Sequence, residues 1–343
     1  MRSSAVSPSP AVLPSHRRQR LPPARSLPAI PRPLVPAKSL LAAKKISLLA
    51  PNSLRSGRRP ISAMASEAIS TTAAAKGKQE LLVFDSEEEV AVSLAKYTAE
   101  LSEKFAQERR AFTVVLSGGS LIKSLRKLVE PPYLESVDWT KWHVFWVDER
   151  VVPKDHADSN YKLAYDGFLS KFNYWFIPSA EVPIPPGQVY AINDSLSAEG
   201  AADDYETRLK QLVKTGVVAV SSTTGFPKFD LMLLGMGPDG HVASLFPGHP
   251  LLNENQRWVT FIKDSPKPPP ERITFTFPVI NSSAYVALVV TGTGKAGAVH
   301  KALGSGQSSS DMLPVEMVSL KDGKFTWFTD KAAVSLLQDR ASL

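Results

Sequence analysis

The run Phe229-Asp230-Leu231-Met232-Leu233-Leu234 limits the folds open to this chain more than any other segment. Apart from Asp230 it is continuously apolar, so a strand here needs cover on both faces. Strands of that kind belong to parallel sheets packed between helices. The rest of the chain repeats the pattern. Leu81 to Phe84, Phe112 to Leu116, His143 to Val147, Trp258 to Ile262, Ile273 to Phe277, Tyr285 to Val290 and Phe325 to Phe328 read as strands. Between the first two, Glu87 to Arg110 carries apolar residues at Val90, Leu94, Tyr97, Leu101 and Phe105, the spacing of one helical face. A second helix runs through Leu121, Leu125 and Leu128 until Pro131-Pro132 stops it. Further helices are predicted over Ser159 to Phe172, Ser197 to Val213, Ala298 to Leu303 and Lys331 to Leu337. The pattern predicts a single-domain α/β fold: a doubly wound, mostly parallel sheet with helices on both faces. Proline-rich and polar stretches around 178–195 and 263–271 read as elaborations of that core.

Ligands of such sheets sit beyond the carboxyl ends of the strands. Four expected strand ends carry residues suited to one. After Leu234, Gly235, Gly237 and Gly240 turn the chain and bring Asp239 and His241 to an expected helix start. An imidazole, with a free pKa of roughly 6.5, accepts a proton near neutrality once its surroundings keep it uncharged. Asp239 either orients that ring or caps the helix. After Leu116, Ser117-Gly118-Gly119-Ser120 joins a strand to a helix, where bare backbone and the positive helix end hold anions. The same four residues also fit a plain tight turn, with Ser120 as its cap. After Val147, Asp148-Glu149-Arg150 presents either a phosphate-binding guanidinium or a surface ion pair. Arg272 heads the Ile273 strand, and Lys295 comes after Thr291-Gly292-Thr293-Gly294 at another helix start.

Charge is distributed unevenly. Residues 1–66 hold 12 of the 40 Lys and Arg and no acid, which leaves 28 basic against 33 acidic residues in 67–343. The body is mildly acidic, so the basic total gives no ground for nucleic-acid binding. The basic extension is rich in Ser, Pro, Arg and Ala, and Pro22, Pro23, Pro28, Pro31, Pro33 and Pro36 forbid a lasting helix or strand. It has no apolar run long enough for a membrane span or a secretory core. Its composition predicts a plastid transit peptide over 1–66 and a linker over 67–79; a retained basic tail is the alternative. The final Ala341-Ser342-Leu343 faintly echoes a peroxisomal address and allows a minor peroxisomal pool. The chain has no cysteine, which removes disulfides, thiol nucleophiles and Cys-ligated zinc. His143, His156 and His300 show no ligand spacing with His241, so no metal is predicted. The Lys295 segment is not a Walker loop, because Ala296 stands at the Ser/Thr position. Gly-x-Ser-x-Gly and His-Glu-x-x-His are both missing.

Taken together, LSGGSLIKSL, WVDERVVPKDHADSNY, LGMGPDGHVASLFPGHP, RITFTFPVIN and VVTGTGKAGAV resemble 6-phosphogluconolactonases over residues 80–340, in family order. The resemblance implies the modified Rossmann fold of the sugar-phosphate isomerases and deaminases, with residues 80–343 as the catalytic domain. It implies hydrolysis of 6-phospho-D-glucono-1,5-lactone, with His241 activating water and Asp239 as a pocket acid. Gly118, Gly119 and Ser120 would be the phosphate-side loop, and Arg150, Arg272 and Lys295 the basic positions around phosphate and substrate. No cofactor is expected. The partner is a small sugar-phosphate lactone, bound by a monomer in the plastid stroma, with no nucleic acid and no membrane. Glucosamine-6-phosphate deaminases are the alternative. Their central motif continues into a glutamate that serves ring opening, whereas Val242 to Gly248 here contains no carboxylate. A sugar-phosphate-binding protein without activity is the third reading.

Overall fold

The computed structural model describes residues 79–304 and 312–338, apart from 171, 175, 176 and 181. The expected transit peptide, residues 67–78 of the linker and Ala341-Ser342-Leu343 lie outside the described residues. In chain order the strands are β1 (Gln79–Phe84), β2 (Phe112–Leu116), β3 (Trp142–Trp146) and β4 (Asp148–Arg150). Two small hairpins come next, β5 (Phe172–Tyr174) with β6 (Ile177–Ala180) and β7 (Ala219–Val220) with β8 (Pro227–Lys228). The chain then forms β9 (Leu231–Gly235), β10 (Val259–Ile262), β11 (Arg272–Phe275), β12 (Tyr285–Val290) and β13 (Lys324–Asp330).

Six of these make the central sheet in the order β1-β13-β12-β9-β2-β3. Every neighbouring pair is parallel. The continuous apolar runs explain themselves in this setting. Leu231 and Leu233 of β9 join one hydrophobic cluster with Val114 and Leu116 of β2 and Val90, Leu94 and Phe105 of the helix Glu87–Arg109. Met232 and Leu234, the alternate residues, join a second cluster with Val115 of β2, with Tyr205 and Leu209 from the helix Ala198–Lys214, and with Val299 from the helix Ala296–Leu303. Each buried Leu or Val contributes roughly 1.5–3 kcal/mol against an extended-chain reference. The sheet is therefore doubly wound, as predicted.

Asp230, the one polar break, is used at the amino end of the sheet. Its carboxylate accepts from Thr113 N (2.7 Å) and Oγ1 (2.8 Å) and from Arg109 Nη1 (2.6 Å), so it locks β9 to β2. The catalytic candidates lie at the opposite end. Strand order reverses between β2 and β9, and the crevice beyond such a reversal is where open α/β sheets bind ligands.

Some local expectations are corrected. No helix begins after His241. Ala243 adopts a left-handed φ of 51°, Leu245 N closes a tight turn on Val242 O, and a short 3₁₀ turn forms only at Pro250–Asn253. Ser120 precedes the helix Leu121–Ser124 but makes no side-chain cap. The helix expected over Ser159 to Phe172 is a single α-turn, Asn160–Ala164, widened over Tyr165–Leu169. The closing helix shrinks to Ser335–Gln338.

Candidate functional site

The turn after β9 is shaped by its glycines. Gly237 N donates to His241 O (2.9 Å) and Gly240 N to Gly237 O (3.0 Å), closing a loop with Asp239 at its tip. Gly240 has a φ of +78°, a conformation that only glycine adopts without strain, and Leu313 packs where its Cβ would be. The turn brings Asp239 Oδ1 within 2.5 Å of His241 Nδ1. Lys267, on the loop before β11, places Nζ 3.1 Å from the same Oδ1 and 3.2 Å from Nδ1. A carboxylate can only accept, so the ring proton sits on Nδ1 and Nε2 is left as the basic nitrogen. The imidazole lies 4.7 Å from the Phe246 ring, centroid to centroid.

The carboxyl and the ring are both moved from their ordinary values. Burial alone would raise the Asp239 carboxyl, but the hydrogen bond and charge of His241 and the hydrogen bond from Lys267 prevail and hold it at about 2. Burial lowers His241 below its ordinary 6.5; Asp239 opposes this, and Lys267 adds to it. Lys295 is also lowered, first by burial and then by the charge of Lys267; its ammonium donates to Met236 O at the base of the turn. His241, Asp239, Lys267 and Lys295 thus form one cluster.

A second cluster gathers the other predicted residues. Antiparallel pairing of β11 with β4 sets Arg272 opposite Arg150. Two guanidinium groups opposed in this way repel each other unless an anion lies between them. Arg272 is only 3% exposed. Its Nη2 donates to Lys267 O (2.6 Å) and Pro268 O (3.2 Å), its Nε to Pro269 O (3.0 Å), and its Nη1 to Ser244 Oγ (3.4 Å). Much of its donor capacity therefore braces the loop that carries Lys267. Its guanidinium also lies 5.6 Å from the Phe246 ring, which links this cluster to His241.

Arg150 Nη1 donates to Asp158 O (2.7 Å), while its Nε is buried without a protein partner. The preceding Glu149 is not part of a surface ion pair. It is buried and accepts from the backbone of Arg150, Asn160 and Tyr161 at 2.7–2.8 Å and from Ser159 Oγ (3.3 Å). Burial pushes its carboxyl up to about 7 against the pull of those donors. The result is a fixed Asp158-to-Tyr161 turn that seats Asn160 against the glycine loop. A Cβ on Gly118 would stand 2.6 Å from Asn160 Cγ, so any larger residue there must displace the Asn160 side chain. Gly119 has a φ of +70° with open space before it, and Ser120 is exposed beside it.

Sequence reasoning missed Lys267 and Asn160. The only signal for Lys267 was a lysine inside a proline-rich loop five positions before Arg272; for Asn160 it was its place near the end of the WVDERVVPKDHADSNY run. A cavity of about 370 Å³ lies elsewhere, lined in part by Tyr161, Leu169, Ile184, Asn193 and Arg208; none of the predicted site residues reaches it. Among the described residues there is no cluster of three or more His, Asp or Glu placed to hold a metal ion. None of their helices is long and apolar enough to cross a membrane.

A reversal point in a parallel sheet, flanked by a His–Asp pair and four cations, defines an α/β protein whose carboxyl edge is charged to suit an anionic small molecule. The chain belongs to the glucosamine-6-phosphate isomerase/6-phosphogluconolactonase family, whose model matches residues 85–327. It is 78% identical over 261 residues to a rice (Oryza sativa subsp. indica) protein named probable 6-phosphogluconolactonase 4, chloroplastic, covering 76% of this chain and 78% of that one. It is 62% identical over 280 residues to Arabidopsis thaliana 6-phosphogluconolactonase 3, chloroplastic, covering 82% and 81%. Among solved structures, the 6-phosphogluconolactonase of Thermotoga maritima aligns with a TM-score of 0.59 at 29% identity, over 74% of this chain and all of that one. A monomeric glucosamine-6-phosphate deaminase aligns with a TM-score of 0.57 at 20% identity, over 75% of this chain and 99% of that one, a likeness of fold alone.

Proposed function

We propose that this protein hydrolyses 6-phospho-D-glucono-1,5-lactone to 6-phospho-D-gluconate in the oxidative pentose phosphate pathway, with His241 as the base that activates water. The observation that carries the mechanism is the 2.5 Å Asp239–His241 contact, which commits Nδ1 and frees Nε2. The lactone's phosphate is held by the Gly118–Gly119 backbone with Arg150, Arg272 and Lys295. That anchoring sets the C1 carbonyl beside the imidazole. Nε2 takes a proton as water attacks C1, and the oxyanion so formed is met by backbone N–H groups of a glycine turn. The imidazolium then protonates the ring oxygen as the C1–O bond breaks, and the base is restored. The names of the relatives at 78% and 62% identity support the lactonase reading. So does the buried, carboxylate-free run Val242 to Phe246, which offers no group for a deaminase's ring opening.

The decisive test compares hydrolysis of the phosphorylated lactone with that of plain gluconolactone by the full chain. Loss of the phosphate should lower kcat/KM by at least about 10²-fold, because remote binding energy positions the carbonyl. Equal rates would sink the anion-anchoring half of the mechanism. The pH profile is a second test. Catalysis needs the neutral ring, so kcat/KM falls as pH drops, with a midpoint below the ordinary 6.5 because burial lowers His241. A midpoint above 6.5 would contradict a ring whose charged form is disfavoured by burial.

We further infer that residues 1–66 are a transit peptide, joined by the linker 67–79 to a catalytic domain over 80–343, and that the enzyme works in the plastid stroma. The acid-free, Ser- and Pro-rich composition supports this, as does the word chloroplastic in both plant relatives' names. Nothing comparable supports the peroxisomal pool.

A further inference from the structure

We propose that Lys267 is a positioning residue of this site: its ammonium group locks the Asp239 carboxylate against Nδ1 of His241 and opposes a second positive charge on that ring. This rests on the reading of His241 as the base and adds the group that keeps it in working form.

The geometry is specific. Asp239 Oδ1 receives two donors, His241 Nδ1 at 2.5 Å and Lys267 Nζ at 3.1 Å, while the two nitrogens stand 3.2 Å apart. Both nitrogens carry hydrogen, so nothing binds them to each other directly. The shared oxygen is what holds them together. When the ring gains a proton on Nε2, two full positive charges face one carboxylate at that separation, and the neutral ring is favoured. The other charged groups around the ring are Asp148, whose carboxylate accepts from Ser244 Oγ (2.8 Å), Lys295 beside the turn, and Arg272 behind Phe246. Asp148 favours the charged ring and Lys267 disfavours it.

An exposed lysine in an ordinary surface ion pair swings too freely to do this. Lys267 is built in. Its carbonyl accepts from Arg272 Nη2 (2.6 Å) and Ser265 Oγ (2.8 Å), and its N–H donates to Ser265 Oγ (3.3 Å). Pro268, Pro269 and Pro270 come next in the chain, so few backbone rotations remain to move the Cα from which the half-exposed side chain reaches Asp239. The buried Arg272 thus serves the base at one remove, by fixing the loop that carries Lys267.

The test is a titration of the His241 imidazole by NMR in the histidine-labelled full chain, for wild type, Lys267→Met and Lys267→Arg, with the resonance assigned from His241→Ala. Removing the ammonium should raise the His241 midpoint by about one pH unit, and Arg should return it towards wild type. The acid limb of kcat/KM should move upward by the same amount, concentrating the loss at low pH. A lysine that merely stiffens the loop would lower kcat at every pH and leave the midpoint in place; that result would overturn the proposal. The titration needs no turnover. Wild-type protein that fails to hydrolyse the lactone would defeat the functional reading while the midpoint shift still decides the role of Lys267.

Discussion

His241→Ala should lower kcat for lactone hydrolysis by about 10²–10⁴, the usual worth of a positioned general base, while binding of 6-phosphogluconate and thermal stability change little. The loss falls on kcat because the proposed mechanism sets His241 against the attacking water and not the phosphate. Binding survives because Gly118, Gly119, Arg150 and Lys295 owe none of their hydrogen bonds to the imidazole. Folding survives because Asp239 keeps Lys267 as a partner at 3.1 Å when the ring is gone. Uncatalysed opening of the lactone must be subtracted, since the ester is labile. Turnover within a few-fold of wild type after that correction would remove His241 from the mechanism. Loss of 6-phosphogluconate binding alongside turnover would instead show that the imidazole helps to hold the ligand.

The strands were readable because both faces of the sheet are covered: Met232 and Leu233 each have a hydrophobic cluster to enter, so apolarity is continuous where an exposed face would have interrupted it. The pairing of His241 with Asp239 was also within reach, since two residues and a glycine turn set it locally. The tight turn after His241 was not. The dihedral of Ala243 depends on the packing of the buried Val242 and Leu245, and no rule of spacing announces a left-handed alanine. Asp148-Glu149-Arg150 was open to a surface ion-pair reading because two of the backbone N–H groups that hold the buried Glu149 come from Asn160 and Tyr161, which composition cannot show. Lys267 was hidden most thoroughly. It sits in a proline-rich stretch that resembles a spacer, and it meets Asp239 across 28 residues through a loop fixed by Arg272. A fold-level contact of that range becomes visible only when the sheet has closed.

Gly237→Ala should cost about 10²-fold or more in kcat, and nearly all of that loss should vanish in a His241→Ala background. The backbone at 237 is not in the left-handed region, so alanine adds no conformational strain of its own. The conflict is with the site. A methyl group at 237 would occupy the space of His241 Nδ1 and Cε1 and of Asp239 Oδ1, far inside van der Waals contact. Ring and carboxylate must both move, and a displacement near 1 Å is enough to misplace a base by two decades of rate. Truncating His241 removes the larger obstacle; Asp239 Oδ1 must still shift, but with the base gone that shift costs no further rate. The four kinetic constants of this cycle, with thermal melts to confirm folding, distinguish a local clash from general damage. Losses that simply multiply would mean that Gly237 serves the fold and not the base, and the close packing of this turn around one imidazole would lose its functional meaning.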